Sequence, residues 1–129
     1  MKYLITGIKG FAGPHLAKLL LSNGHEVHGV ARSANGMETD LLDTLTVEEL
    51  ESIKFHYADL KDFNSVQKLM DLNFDGVFHL AAQSHPPTSF KNPIMTWNDN
   101  VSASMNIISV LENTDTKLMF CSTSEVYGD

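Results

Sequence analysis

Short apolar runs alternate along this chain with segments whose apolar residues recur every three or four positions. Residues 3–5 form the first such run and predict a buried strand. It breaks at Gly7, and Leu16, Leu19 and Leu20 then follow at helical spacing, which predicts a helix over 11–22 closed by Asn23-Gly24. A second strand is expected over 26–31 around Val27 and Val30, then a polar loop over 33–45 containing Asn35-Gly36. Thr46-Val47-Glu48-Glu49 looks like a capped helix start, with the helix ending near Ser52. A third strand is predicted over 54–58, a helix through Val66, Leu69 and Met70, and a fourth strand over 75–81 too apolar to face water. Ile94, Trp97, Val101, Met105, Ile108 and Leu111 are spaced to line one buried face of a long helix over 93–113. Residues 117–121 give a fifth strand. Strands alternating with helices imply a parallel sheet with right-handed crossovers and helices on both faces.

At 129 residues, 43% of them hydrophobic, the chain is long enough for one domain with a real core, expected to span 1–129. A net charge of −7 argues against nucleic acid or an anionic membrane as partner. The single cysteine, Cys121, excludes an internal disulfide and suits a reducing compartment. No apolar run approaches the ~20 residues of a membrane span. The start, Met1-Lys2-Tyr3, runs directly into a strand and leaves no room for a signal peptide, so a cytoplasmic protein is expected. His15, His25, His28 and His56 show no metal-ligand spacing, and no metal is expected; His79, on a buried strand, is expected to be a satisfied core residue.

Candidate chemistry begins at Gly7-Ile8-Lys9-Gly10-Phe11-Ala12-Gly13, a glycine turn between a strand and a helix. Gly7 permits the tight turn, Gly10 lets backbone N–H groups approach a pyrophosphate, and Gly13 lets helix and strand pack closely; the helix N-terminus favours an anion, and Pro14 suits its first turn. This predicts a Rossmann-type dinucleotide fold with strand order 3-2-1-4-5. An acidic residue would hold a free ribose 2′-hydroxyl about 20 residues past the glycines. The chain has Ala31-Arg32-Ser33 there instead. Arg32 is either a solvated surface residue or a partner for a 2′-phosphate. With the glycine turn in place the second role is favoured, which means NADP rather than NAD.

The exits of strands one, four and five share one sheet edge, so Gly10, Gln83, Ser84 and the group Thr123–Glu125 can converge there. Thr123 and Glu125, two apart, would share a face of an extended segment, where a hydroxyl and a carboxylate suit binding a substrate oxygen and removing a neighbouring proton. The alternative is a turn that caps the next helix. Asp59 likewise is either a cleft residue or a helix cap. His85, beside Ser84 in the strand-four loop, is either exposed or a contact for a substrate phosphate.

Taken together, the glycine turn, Asp59-Leu60, His79-Leu80-Ala81-Ala82-Gln83-Ser84-His85, Asn100-Val101 and Ser122-Thr123-Ser124-Glu125-Val126-Tyr127-Gly128 resemble the extended short-chain dehydrogenase/reductases that act on nucleotide sugars. Among these the chain is most similar to the GDP-mannose 4,6-dehydratase family. The resemblance implies a tightly held NADP and a nucleotide-sugar substrate, GDP-mannose. It implies that Gly7, Gly10 and Gly13 with the Lys9–Phe11 backbone hold the pyrophosphate. Asp59 and Leu60 would sit at adenine, Leu80, Ala81, Ala82 and Gln83 at the ribose and nicotinamide, and Asn100 and Ser122 against the cofactor. Ser84 and His85 would face the substrate. Thr123 would bind the sugar 4-oxygen, Ser124 would assist, and Glu125 would take the proton at C5 and aid loss of water from C6.

The family's Tyr-x-x-x-Lys pair lies on a helix after strand five, beyond Asp129 in this sequence. Tyr57 and Lys61 match it only formally, because they straddle a strand end where four residues span roughly 13 Å. The chain is therefore expected to be the N-terminal part of such an enzyme, cut before the sixth strand and the substrate domain, inactive alone and prone to self-association as a homo-oligomer. A stand-alone or partner-completed dinucleotide module, and a fragment of a 4-keto-sugar reductase or sugar epimerase, remain open; a reductase would not need Glu125.

Overall fold

The alternation of apolar residues in β1 (Lys2–Thr6) divides the protein into two cores, because Leu4 and Ile5 are both fully buried yet point to opposite faces of the sheet. The computed structural model describes residues 1–128. β1 is central in a five-stranded parallel sheet with β2 (Glu26–Ala31), β3 (Lys54–Tyr57), β4 (Gly76–His79) and β5 (Lys117–Phe120), ordered β3-β2-β1-β4-β5 as the sequence predicts. Leu4 packs with Val30, Val77 and Phe74 beneath α4 (Phe63–Met70) and α7 (Ala103–Leu111), which contribute Val66, Leu69 and Ile107. Ile5 packs with Ile8 and Val27 against Ala17 and Leu20 of α1 (Gly13–Ser22).

Two expectations need correction. Residues 33–45 are not all loop: α2 (Met37–Leu42) forms there, and Met37, Leu41 and Leu45 are buried in the Ile5 core. Their spacing of four is a helical signal that the surrounding polar residues obscured. The next helix, α3 (Val47–Ser52), begins as predicted, with Thr46 and Glu49 exchanging capping bonds at 3.1 and 3.0 Å.

The second correction concerns the long helix over 93–113. After α5 (Pro86–Lys91) the chain forms α6 (Pro93–Trp97), a π turn over Asn98–Ser102, and then α7. The predicted stripe is mostly outside: Ile94 is 77% exposed and Trp97 62%, and Met105 and Ile108 also face solvent, with Leu111 alone of the six buried. The π turn inserts a residue into the 3.6 period and rotates the face that meets the sheet. Ala103, Ser104, Ile107 and Leu111 are buried instead. Polar Asn106 also faces inward, donating from Nδ2 to the Leu60 carbonyl at 2.9 Å.

On one face of β2 and β3 two histidines form a pair that spacing did not reveal. His28 Nε2 donates to Glu26 Oε1 at 2.7 Å, so its Nδ1 is left to accept from His56 Nε2 at 2.7 Å. Lys54 also bonds Glu26, at 2.9 Å. Lys54 first and then His28 hold the Glu26 carboxyl down at about 2. Burial first, then the repulsion that a charged ring would meet from a protonated His28 and from Lys2, push the His56 imidazole below its ordinary value. A lowered histidine means that the unfolded chain takes up the proton first on acidification. The stabilisation is therefore complete above about pH 6.5 and declines as pH falls below it. The urea midpoint is expected to drop between pH 7.5 and 5.5, and to drop less in His56→Gln; equal drops in both proteins would rule out this origin. His79, lowered by burial, contributes with the same sign, so part of the drop persists in the variant.

Candidate functional site

The carboxyl ends of β1, β2, β3 and β4 open into a cleft of about 550 Å³. Gly7 to Gly10 line it after β1, Ala31 to Ser33 after β2, Ala58 to Lys61 after β3, and Leu80 to Gln83 after β4, with Asp99 and Ala103 above. A crevice outside the strand ends is where open α/β sheets collect ligands.

The turn after β1 is closed by Gly10 N–H donating to the Gly7 carbonyl at 2.9 Å. Gly7 has φ +68°, and a Cβ there would lie 2.8 Å from Ala81 N and 2.9 Å from Leu80 C, so the turn touches the β4 exit backbone to backbone. Gly13 is buried behind the turn, where a Cβ would meet Ile8 O at 2.5 Å. Its role is therefore close packing, as the sequence suggests, although the neighbour is Ile8 of the turn rather than the strand. Helix α1 carries Pro14 in its first turn and no acidic side chain there, which leaves its positive end uncompensated. Lys9 Nζ donates to the Asn35 carbonyl at 2.8 Å, tying the turn to the segment after β2. Phe11 is 93% exposed and rests beside His15, outside the cleft.

At the β2 exit Arg32 and Ser33 are exposed and face the cleft, and neither side chain has a hydrogen bond or ion pair among the described residues. After β3, Asp59 accepts from the Lys61 N–H at 3.0 Å and faces the cleft. Asp62, not Asp59, caps α4, accepting from Ser65 N at 3.3 Å. The Ser65 hydroxyl bonded to Asp62 is the main reason its carboxyl lies below the usual range. Lys61 Nζ lies 3.1 Å from Asp99 and 3.9 Å from Asp59 and closes the rim. Lys61 thus has partners of its own, and Tyr57 belongs to the end of β3, which agrees with rejecting them as a catalytic pair.

The β4 exit is held from behind. Asn100, on the π turn, accepts from Gln83 N–H at 2.7 Å and donates to the Gln83 carbonyl at 3.0 Å. Gln83 in turn folds its side-chain amide over the His85 backbone, at 2.9 and 3.1 Å. Ser84 and His85 lie beyond the cleft lining on the surface, with His85 Nδ1 3.0 Å from Thr88 Oγ1 at the start of α5.

Ser122, Thr123, Ser124 and Glu125 follow β5 and are exposed, outside the cleft lining. Of the two readings of Thr123 and Glu125, the shared face of an extended segment is not found and the capping turn is. Residues Ser124–Tyr127 form a 3-10 turn, which Thr123 caps by accepting from Glu125 N–H at 3.2 Å, because a hydroxyl competes well for a free N–H at such a start. The structure thus gathers Gly7, Lys9, Gly10, Arg32, Asp59, Leu60, Leu80, Ala81, Ala82 and Gln83 in one cleft, with Asn100 in support. Phe11, Gly13, Ser84, His85 and residues 122–125 stand apart. Asp99 and Ala103 line the cleft unannounced by any motif, and Lys61 lines it in a role its formal motif did not suggest. For Lys61 and Asp99, 38 positions apart, only the fold makes the pairing visible.

Similarity to known proteins extends over nearly the whole chain. A GDP-mannose 4,6-dehydratase of Vibrio cholerae is 35% identical over 98% of this chain and 36% of its own length. Among solved structures, a UDP-Glc/GlcNAc 4-epimerase of Campylobacter jejuni superposes with a TM-score of 0.84 at 29% identity, over 98% of this chain and 38% of that one. A UDP-glucose 4-epimerase of Thermus thermophilus in complex with NAD gives 0.78 at 28% identity, over 95% and 38%. The chain thus spans a little over a third of the length of these relatives. The profile of the GDP-mannose 4,6 dehydratase family matches residues 4–129, from β1 through the turn after β5, and the chain belongs to that family.

Proposed function

We propose that residues 1–129 are the dinucleotide-binding part of an NADP-dependent nucleotide-sugar 4,6-dehydratase whose substrate is GDP-mannose. The observation that carries the cofactor assignment is the end of β2, where Arg32 and Ser33 face the cleft and no carboxylate does. The cleft suits a dinucleotide in size and in the order of its walls. The Gly7–Gly10 backbone and the free end of α1 favour a pyrophosphate, Arg32 and Ser33 a 2′-phosphate, Asp59 and Leu60 the adenine end. Leu80, Ala81 and Ala82 offer an apolar wall for ribose and nicotinamide.

Bound there, the cofactor supplies reversible hydride transfer at the sugar. Thr123 donates a hydrogen bond to the sugar 4-oxygen, with Ser124 beside it, and Glu125 removes the proton at C5, made acidic by a ketone at C4, and returns it toward the departing C6 hydroxyl. Ser84 and His85 contact the substrate from the β4 side. In this assignment the chain brings the cofactor cradle and half of an active site.

Calorimetric titration of NADP⁺ and NAD⁺ into the protein is expected to show NADP⁺ binding at least tenfold more tightly. Arg32→Ala should cost NADP⁺ about 10- to 100-fold and leave NAD⁺ nearly unchanged, the range for one charge-assisted contact. The reading fails if the two cofactors bind alike, or if Arg32→Ala weakens both equally. A second reading, a sugar 4-epimerase using NAD, is favoured by the solved relatives and predicts tighter NAD⁺ with no effect of Arg32→Ala.

A further inference from the structure

His79 is 3% exposed and is bonded through both ring nitrogens, Nδ1 at 2.7 Å from Thr6 Oγ1 and Nε2 at 2.9 Å from Ser104 Oγ. The direction of each bond is fixed from outside the ring. Ser104 donates its hydroxyl proton to the Asn100 carbonyl at 2.6 Å, so toward His79 it accepts, and Nε2 carries a proton. Thr6 Oγ1 accepts from the Leu80 and Ala81 N–H groups, each at 3.0 Å. Both of its lone pairs are then filled, and its own proton goes to Nδ1. The two ends assign the same tautomer independently. The line of bonds runs from the Leu80 and Ala81 amides through Thr6, His79 and Ser104 to the carbonyl of Asn100, whose side chain grips both backbone groups of Gln83.

We propose that His79 is a positioning residue for the dinucleotide, its Nε2–H tautomer aligning the Leu80–Gln83 backbone that walls the cleft. This rests on the assignment of the cleft to a dinucleotide. A second proton on the ring would place an N–H at Nδ1 against a Thr6 oxygen with no lone pair left. Thr6 would have to release Leu80 or Ala81, and the wall touching Gly7 would move. No neighbour compensates the charge: the ring is met by Thr6 from β1, Phe120 from β5 and Ser104 from α7, none of them titratable in this range. The acid near the head of α7, Asp99, is engaged by Lys61. Burial pushes the imidazole below the ordinary histidine range, in the same direction. Cofactor binding therefore selects the neutral ring, and acidification favours the free protein. Affinity is level at high pH and falls, approaching tenfold per pH unit, once pH drops through the His79 pKa.

The test titrates NAD⁺ into the whole chain from about pH 8 to pH 5, a range in which that ligand has no titrating group of its own and histidine does. Wild type is expected to lose affinity toward pH 5. His79→Gln should bind about tenfold more weakly at pH 8 and show no such loss. In the ligand-free protein, imidazole 15N shifts should report the Nε2–H tautomer at pH 8, and the Leu80 and Ala81 amide signals should move with the His79 titration; in Thr6→Val that linkage should vanish while Thr6→Ser keeps it. A level wild-type profile, an equal slope in His79→Gln, an Nδ1–H tautomer, or amide signals that ignore the titration would each overturn the proposal. Absence of NAD⁺ and NADP⁺ binding at pH 8 would count against the dinucleotide reading, and the ligand-free spectra would still decide the role of His79.

Discussion

Gly13→Ala is expected to destabilise the protein by about 3 kcal/mol, at the upper end for overpacking because nothing at the contact is free to rotate away. The added methyl would lie 2.5 Å from Ile8 O, 2.6 Å from Ile8 Cα and 2.7 Å from Ile8 C, all backbone atoms. Ile8 is fully buried and is held against β2, so relief requires α1 to move outward by about an ångström, given ordinary carbon contact distances. Ala17 and Leu20 would move with it, away from Ile5 and Val27. Alanine's better helix propensity opposes this by only about 1 kcal/mol. The urea midpoint of the purified variant measures the result. An unchanged midpoint would mean that the turn yields freely and that Gly13 is not there for packing. A second consequence is functional: the turn that Gly13 packs against lines the cleft, so any cofactor affinity the protein shows should fall together with its stability.

What could be seen in the sequence divides along physical lines. Features set by local chemistry were legible: the strand–glycine–helix turn, the Thr46–Glu49 capping box, and the apolar runs whose order dictates a parallel sheet. So was His79 as a satisfied buried residue. Features set by a choice between two helix faces were not. Helix α7 turns Ser104 and Asn106 inward beside Ala103, Ile107 and Leu111 and leaves Met105 and Ile108 outside, with Ser104 bonded to His79 of β4, Asn106 bonded to the Leu60 carbonyl after β3, and a π turn preceding the helix. Hydrophobicity alone ranks those faces the wrong way. The Met37–Leu41–Leu45 spacing was present but diluted by acidic residues. The polar cross-links of the site, Lys61 to Asp99 and Asn100 to Gln83, join positions far apart or on different elements, and no periodicity encodes them. Of the candidate site, the residues leaving β1 to β4 were visible as a set. The geometry after β5 was not, since the same Thr-Ser-Glu serves an extended segment or a capped turn.

Ile8→Ala is expected to cost about 3 kcal/mol, within the range for truncating a fully buried isoleucine to alanine. Its side chain fills the space that a side chain at Gly29 would otherwise occupy: a Cβ at Gly29 would meet Ile8 Cδ1 at 2.4 Å and Cγ2 at 3.0 Å. Gly29→Ala alone therefore overpacks the contact and should cost about 1–3 kcal/mol. In the Ile8→Ala background both of those atoms are gone, and the new methyl occupies part of the cavity. The double variant should then be more stable than the sum of the single changes implies by at least about 1 kcal/mol, measured as a double-mutant cycle in urea. Additivity within about 0.5 kcal/mol would show that the two residues do not share the space. The contact matters for the cleft because its two sides belong to segments that the proposed function assigns to different anions. Ile8 lies within the glycine turn, and Gly29 is three residues before Arg32 on the strand that delivers it. A strong coupling would mean that the turn and the end of β2 are set by one packed contact, so the spacing between the two proposed anion positions is fixed before any ligand arrives.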